Sequence, residues 1–203
     1  MAHPALILTS GDSISRQLAE ADPSLGELID RLGRVQVEAS DPPFVTLARA
    51  IVSQQLSDKI ASIIWGRVLE VAEPTPEALA SATTEALRSA GLSRSKVDYI
   101  QGVARAFLND EIDADALELM TDEEVVAELT RLRGVGRWTA EMFLIFGLRR
   151  PDVLALDDYG VRLSAGRMLG LERAASRDEL AERGARWAPH RTAASLWLWS
   201  DLG

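Results

Sequence analysis

The 203-residue chain contains no cysteine. Disulfides, zinc–thiolate sites and iron–sulfur clusters are therefore excluded. Its two histidines, His3 and His190, lie at opposite ends of the sequence, so a histidine-rich metal site is not expected. No apolar run approaches the length of a membrane span. The apolar patch around residues 6–8 is too short for a secretory leader and has no basic start. A soluble, cytoplasmic protein is expected, with no membrane partner. Lysine is nearly missing, with Lys59 and Lys96 alone, so cationic work falls to arginine, which grips phosphate bidentately. Low-complexity linkers and fixed-period repeats are also missing. Strand signals are poor: "ALILT" and "VLAL" are short, and only "RVQVEA" alternates clearly.

What is present is an ordinary globular composition, 47% apolar, with a net charge of −9. That acidity speaks against a nucleic-acid partner until its distribution is considered. Residues 131–191 hold twelve arginines against eight carboxylates, a local charge of +4, while the remainder carries −13. Either charge is scattered by chance or a basic face stands on an acidic body.

Helix start signals recur along the whole chain. Asp22 precedes Pro23, with Gly33 as the stop; Asp41, Ser57, Thr75, Thr83 and Ser93 each stand before a run with helical spacing. Thr121 with Glu124, and Ser176 with Glu179, have the spacing of capping boxes. Pro189 sets the start of a last helix. From Asp41 onward, Phe44, Leu47, Ala48, Ile51, Val52 and Gln55 fall on one face. The pattern predicts an all-α protein of roughly ten helices joined by short loops. Trp187, Trp197 and Trp199 read mainly as packing residues.

Two stretches carry chemistry. In "LRGVGRWT" (residues 132–139) a helix ending near Leu132 gives way to another from Arg137. Glycines there permit φ > 0 and let a ligand approach the backbone, and the second helix offers free N–H groups and its positive dipole end. Such a corner cradles phosphate, unless it is simply a tight turn between packed helices. In "LDDYGVRL" (residues 156–163) Asp157 or Asp158 can N-cap the helix running toward Arg167.

Together, "LRGVGRWTAEMFLIFGL" and "LALDDYGVRL" resemble the helix-hairpin-helix and following aspartate of the DNA glycosylase superfamily. The nearest branch is the bacterial 3-methyladenine DNA glycosylase II family, whose hairpin has proline where this chain has Arg133. Upstream, "FVTLARAIVSQQLSDKIASII" resembles the helix and turn that this family inserts into DNA. The likeness covers about residues 41–201. It implies a compact member without the N-terminal β-domain of longer relatives. Two helical subdomains are implied, residues 41–140 and residues 1–40 plus 141–203, with a cleft between them.

The resemblance implies hydrolysis of the N-glycosidic bond of an alkylated purine such as 3-methyladenine, leaving an abasic site in double-stranded DNA. The catalytic carboxylate matches Asp158, with Asp157 the nearby contender. Trp138 stands where strand-cutting relatives carry a Schiff-base lysine, which implies a monofunctional enzyme. Trp138 also offers an aromatic face to a cationic base. Tyr159, Met142 and His190 match further pocket positions, the last two departing from the family's aromatic residues; ordinary core packing and an exposed helix start are the competing readings. Gln55 matches the wedge that fills the gap left by a flipped base, with Gln54 and Leu56 beside it, unless the two glutamines only form a polar helix end. Gly134, Gly136 and Arg137 match the DNA-gripping hairpin. The carbonyls of Thr130, Leu132 and Val135 match a site for a monovalent cation, sodium or potassium, with no cofactor needed for catalysis. A monomer, associated with the nucleoid when bound to DNA, is expected. The competing functions are a non-catalytic module that binds damaged DNA, and a glycosylase for oxidised or deaminated bases.

Overall fold

The computed structural model describes residues 3–202. They fall into two compact units, one spanning residues 40–148 and the other joining 3–39 to 149–202. Thirteen α-helices occur among the described residues, so the chain is all-α in class, with one two-stranded antiparallel ribbon.

The ribbon pairs β1 (Leu6–Thr9) with β2 (Arg34–Val37), Leu6 opposite Val37 and Thr9 opposite Arg34. "VLAL" forms no strand: residues 153–156 run as an irregular loop. Between the strands lie α1 (Ser13–Ala21), capped by Asp12, and α2 (Pro23–Leu32), capped by Asp22. Helix α1 carried no start signal singled out from the sequence. Gly33, at φ +71°, ends α2 and turns the chain into β2.

The second part of this unit holds α11 (Tyr159–Met168), α12 (Arg177–Gly184) and α13 (Arg191–Ser200), with α13 packed on α2 and α11. Helix α13 starts two residues beyond Pro189, with His190 at its N-cap. Trp187 and Trp197 are fully buried here, as packing residues. The N- and C-terminal segments of the unit are tied by Asp22. Its buried carboxylate accepts from the guanidinium of Arg183 and, at 3.0 Å, from the indole N–H of Trp187. Burial pushes the Asp22 carboxyl up, but these donors outweigh it and hold the group below its ordinary 3.8. The pair therefore stabilises the fold fully above that value, and the contribution drains as pH falls through the lowered folded value. Asp22→Ala should cost about 3 kcal/mol in urea unfolding at neutral pH, because it leaves the half-buried Arg183 cation and the buried Trp187 indole N–H without their acceptor.

The other unit is built around α3 (Pro43–Ser53), which is buried on nearly every face through Phe44, Leu47, Ala48, Ile51 and Val52. Its N-cap is Pro42 rather than Asp41: the two prolines fix the backbone entry, and Asp41, one residue too early to cap, pairs with Arg49 at 2.5 Å. Around α3 stand α4 (Asp58–Val71), α7 (Arg94–Leu108) and α10 (Arg137–Met142), the last continued by a π-turn over Phe143–Gly147. Phe44 meets Phe107 of α7 edge to face at 5.6 Å. Short helices α5 (Pro76–Ser81), α6 (Thr84–Ser89), α8 (Ala114–Leu119) and α9 (Asp122–Leu129) complete the unit. The Thr121–Glu124 capping box opens α9, and the Ser176–Glu179 box opens α12 in the other unit.

Candidate functional site

In the unit of residues 40–148, α9 ends at Leu129 and α10 begins at Arg137. The corner between them closes with the Val135 N–H donating to the Leu132 carbonyl at 3.1 Å. Its two glycines do different work. Gly134 lies at φ +89°, and a Cβ there would fall 2.1 Å from Cγ of Tyr99. Only glycine fits that position. Gly136, the N-cap of α10, is extended at φ −97° with open space around it. Positive φ is thus needed at one glycine and not both, and the bare backbone of Gly136 serves approach from outside. Among the described residues, the amides of Gly134, Gly136 and Arg137 donate to no protein acceptor, which leaves these three donors available to a ligand.

Arg137 does not hold its guanidinium free for phosphate. It binds Glu123 of α9 through two hydrogen bonds, 2.7 and 3.1 Å, and lies 3.8 Å from Glu141, which ties the two helices of the hairpin together. Arg133, in the proline position, lies over the Tyr99 ring at 5.9 Å. Trp138 is half-buried at the start of α10. Met142 is buried in the packed interior. Its side chain packs with the core in the DNA-free protein. The carbonyls of Thr130 and Val135 receive no hydrogen bond among the described residues, and that of Leu132 accepts only the Val135 N–H. Three such hard oxygens suit a sodium or potassium ion.

The wedge candidates follow α3. Gln55 is exposed and holds φ +59°, a left-handed conformation rare for a residue with a side chain. Leu56 beside it is also exposed. Gln54 turns the other way: its side-chain amide donates to the Gly134 carbonyl at 2.8 Å and to Thr139 Oγ1 at 2.9 Å. Both of its side-chain donors are used inside the protein, so Gln54 acts as a strut between the turn and the hairpin. Its backbone carbonyl accepts from Lys96 Nζ at 2.8 Å, and that of Val52 from the same ammonium at 2.7 Å. Burial lowers the Lys96 pKa below that of an ordinary lysine. Gln54, Gln55 and Gly134–Gly136 line one open hollow of about 430 Å³ with Ser93, Ser95, Lys96 and Tyr99 of the α7 N-terminus. Neither Lys96 nor Tyr99 was visible as a site residue in the sequence, since each contact spans thirty-five residues or more.

In the other unit, Asp158 is the N-cap of α11 and is half-buried. Its Oδ1 accepts the Val161 N–H at 2.8 Å and the Trp199 indole N–H at 2.8 Å. One aspartate thus both caps the helix and is fixed in orientation by a side chain. Asp157 instead pairs with Arg177 at 2.7 Å. Trp199, expected mainly to pack, is the missed residue. Gly160 leaves room for the arrangement: a Cβ there would meet Asp158 Oδ1 at 3.1 Å and Trp199 at 3.3 Å. Tyr159, next to Asp158, is 64% exposed, a free aromatic face. His190 heads α13 with a ring nitrogen 3.1 Å from Gln17 Oε1. That bond holds the imidazole against α1 and gives it a structural task.

Comparison with known proteins adds four findings. Residues 48–190 match the family described as HhH-GPD superfamily base excision DNA repair protein. A DNA-3-methyladenine glycosylase 1 of Schizosaccharomyces pombe is 32% identical over 201 residues, spanning 95% of this chain and 88% of the relative. Among solved structures, the fission-yeast 3-methyladenine DNA glycosylase in complex with abasic DNA superposes with a TM-score of 0.88 at 31% identity, covering 93% of this chain and 95% of that one. A DNA-3-methyladenine glycosidase from Bacillus halodurans gives 0.80 at 36% identity, covering 98% and 93%.

Proposed function

We propose, from the premise that this chain belongs to the HhH-GPD superfamily of base excision DNA repair proteins, that it is a DNA glycosylase for alkylated purines such as 3-methyladenine. It hydrolyses the bond between base and deoxyribose and leaves an abasic site. The observation that carries this is the Asp158 carboxylate, anchored on Oδ1 by the Val161 amide and the Trp199 indole.

Breaking a C1′–N bond builds positive charge on the sugar in an oxocarbenium-like transition state. A carboxylate held in a fixed orientation stabilises that cation and orients water without having to reorganise. An alkylated ring nitrogen already makes the purine a good leaving group, so no strong general acid is required of the protein. Trp138 supplies an aromatic face for the cationic base, and Tyr159 a second, exposed one. Gln55 fills the stack after the nucleotide is extruded, its strained backbone projecting the side chain from the protein. The available amides of the 134–137 corner clamp the adjoining phosphate without reading sequence. A sodium or potassium ion, bound by the carbonyls of Thr130, Leu132 and Val135, would reinforce that clamp electrostatically. The chain acts as a monomer on one duplex, in the compartment that holds the DNA; no described helix is long and apolar enough to cross a membrane.

The test is a duplex with one alkylated purine. The strand should break only after alkali, and borohydride should trap no covalent adduct, because Trp138 offers no amine. Binding without base release would support a non-catalytic module instead. Trp199→Phe should leave the duplex bound but slow single-turnover base release about tenfold or more, because the carboxylate loses the indole N–H that orients it.

A further inference from the structure

Helix α7 touches both DNA-facing elements of its unit from one face. Lys96 and Tyr99 are three residues apart and so neighbours on the helix surface. Lys96 reaches the turn after α3, and Tyr99 lies under Gly134. The carbonyls that Lys96 binds, Val52 and Gln54, are those left orphaned where α3 ends. A cation at that end also complements the helix dipole. The next residue is Gln55, held at φ +59°. Gln54 then carries the connection across to the Gly134 carbonyl and Thr139. A residue with a side chain keeps a left-handed backbone only where its surroundings determine it. Here the surroundings are an ammonium on one side of residue 54 and the hairpin on the other.

We infer that Lys96 is a positioning residue: by gripping the Val52 and Gln54 carbonyls, with Gln54 bound in turn to Gly134, it locks the Gln55 wedge and the 133–136 hairpin into one preformed unit. The inference rests on the glycosylase reading for its consequence, since a preset wedge lowers the work of extruding a paired base. The lock itself is a property of the DNA-free protein. Tyr99 supports it from the same helix by closing off the space in which the corner could rock.

Two measurements test it. In the DNA-free protein, Lys96→Met keeps the stem and removes the ammonium. Amide hydrogen exchange should then quicken at Gln54 and Leu56 of the turn and at Val135 of the hairpin, the amides of the two segments that hold backbone hydrogen bonds, by on the order of tenfold, with the α3 core unchanged. Lys96→Arg, which keeps a cation, should restore most of the protection. Unchanged exchange at both segments, or quickening at the turn alone, overturns the lock. The second measurement compares base release from an alkylated purine in a paired duplex and opposite an abasic gap, where extrusion is easy. Lys96→Met should lose about tenfold in the first and less than about threefold in the second, as Gln55→Ala should. Equal loss in both contexts overturns the positioning role. A wild-type protein that releases no base from either substrate overturns the glycosylase reading, and the exchange result still decides whether the lock exists.

Discussion

Asp158→Asn should slow single-turnover base release by about a thousandfold or more while leaving the fold and DNA binding in place. Asparagine is as good an N-cap as aspartate, and its carbonyl oxygen can still accept from Val161 and Trp199. What it lacks is the negative charge that the proposed mechanism sets against the developing cation. Loss of rate without loss of melting temperature or duplex affinity therefore isolates the electrostatic role. Asp158→Ala would confuse the two by removing the cap and stranding the indole N–H as well. Asp157→Asn is the control: that carboxylate pairs with Arg177 on an exposed surface, and its loss should change the rate little. If Asp157→Asn abolished release and Asp158→Asn did not, the catalytic assignment would move to the neighbour.

The second large effect is at the hairpin. Gly134→Ala should weaken duplex binding at least tenfold and destabilise the protein by roughly 1–3 kcal/mol, because the new Cβ collides with the Tyr99 ring and the backbone must leave φ +89°. The corner's amides would then no longer converge. Gly136→Ala separates stability from binding: nothing lies within 4 Å of a Cβ there and φ is −97°, so the melting temperature should barely move. Any loss of DNA affinity at Gly136 reports a phosphate that comes close to the bare backbone. Equal, negligible effects of both substitutions on binding would remove the hairpin from the DNA interface. Fluorescence anisotropy on a labelled duplex, at fixed salt, reads both.

Which parts of this were legible beforehand follows from range. The caps at Asp22, Thr75, Thr83, Ser93, Thr121 and Ser176 bond to backbone three residues away, so a local pattern suffices to find them. Asp41 misled because two prolines after it settle the helix entry without a side chain. The ribbon escaped because only β2 alternates clearly, and β1 is recognisable only once β2 lies beside it. The hairpin's glycines were visible, but the reason for Gly134 is a tyrosine thirty-five residues upstream. The Trp199–Asp158 bond spans 41 residues, the Lys96–Gln54 bond 42 and the Gln54–Gly134 bond 80. Nothing in a spacing rule reaches across such intervals. Arg137 shows the same limit: its position in the motif suggested DNA, and its ion pair with Glu123 fourteen residues earlier was not foreseen.

The most direct test of the central claim is binding to a duplex whose damaged nucleotide is replaced by a cationic pyrrolidine, a mimic of the oxocarbenium sugar, against the same duplex with an uncharged tetrahydrofuran. The wild-type protein should prefer the cation by about a hundredfold or more, and Asp158→Asn should erase that preference while binding the neutral duplex as before. Equal affinity of the wild-type protein for both duplexes, or a preference that survives in Asp158→Asn, would contradict the account.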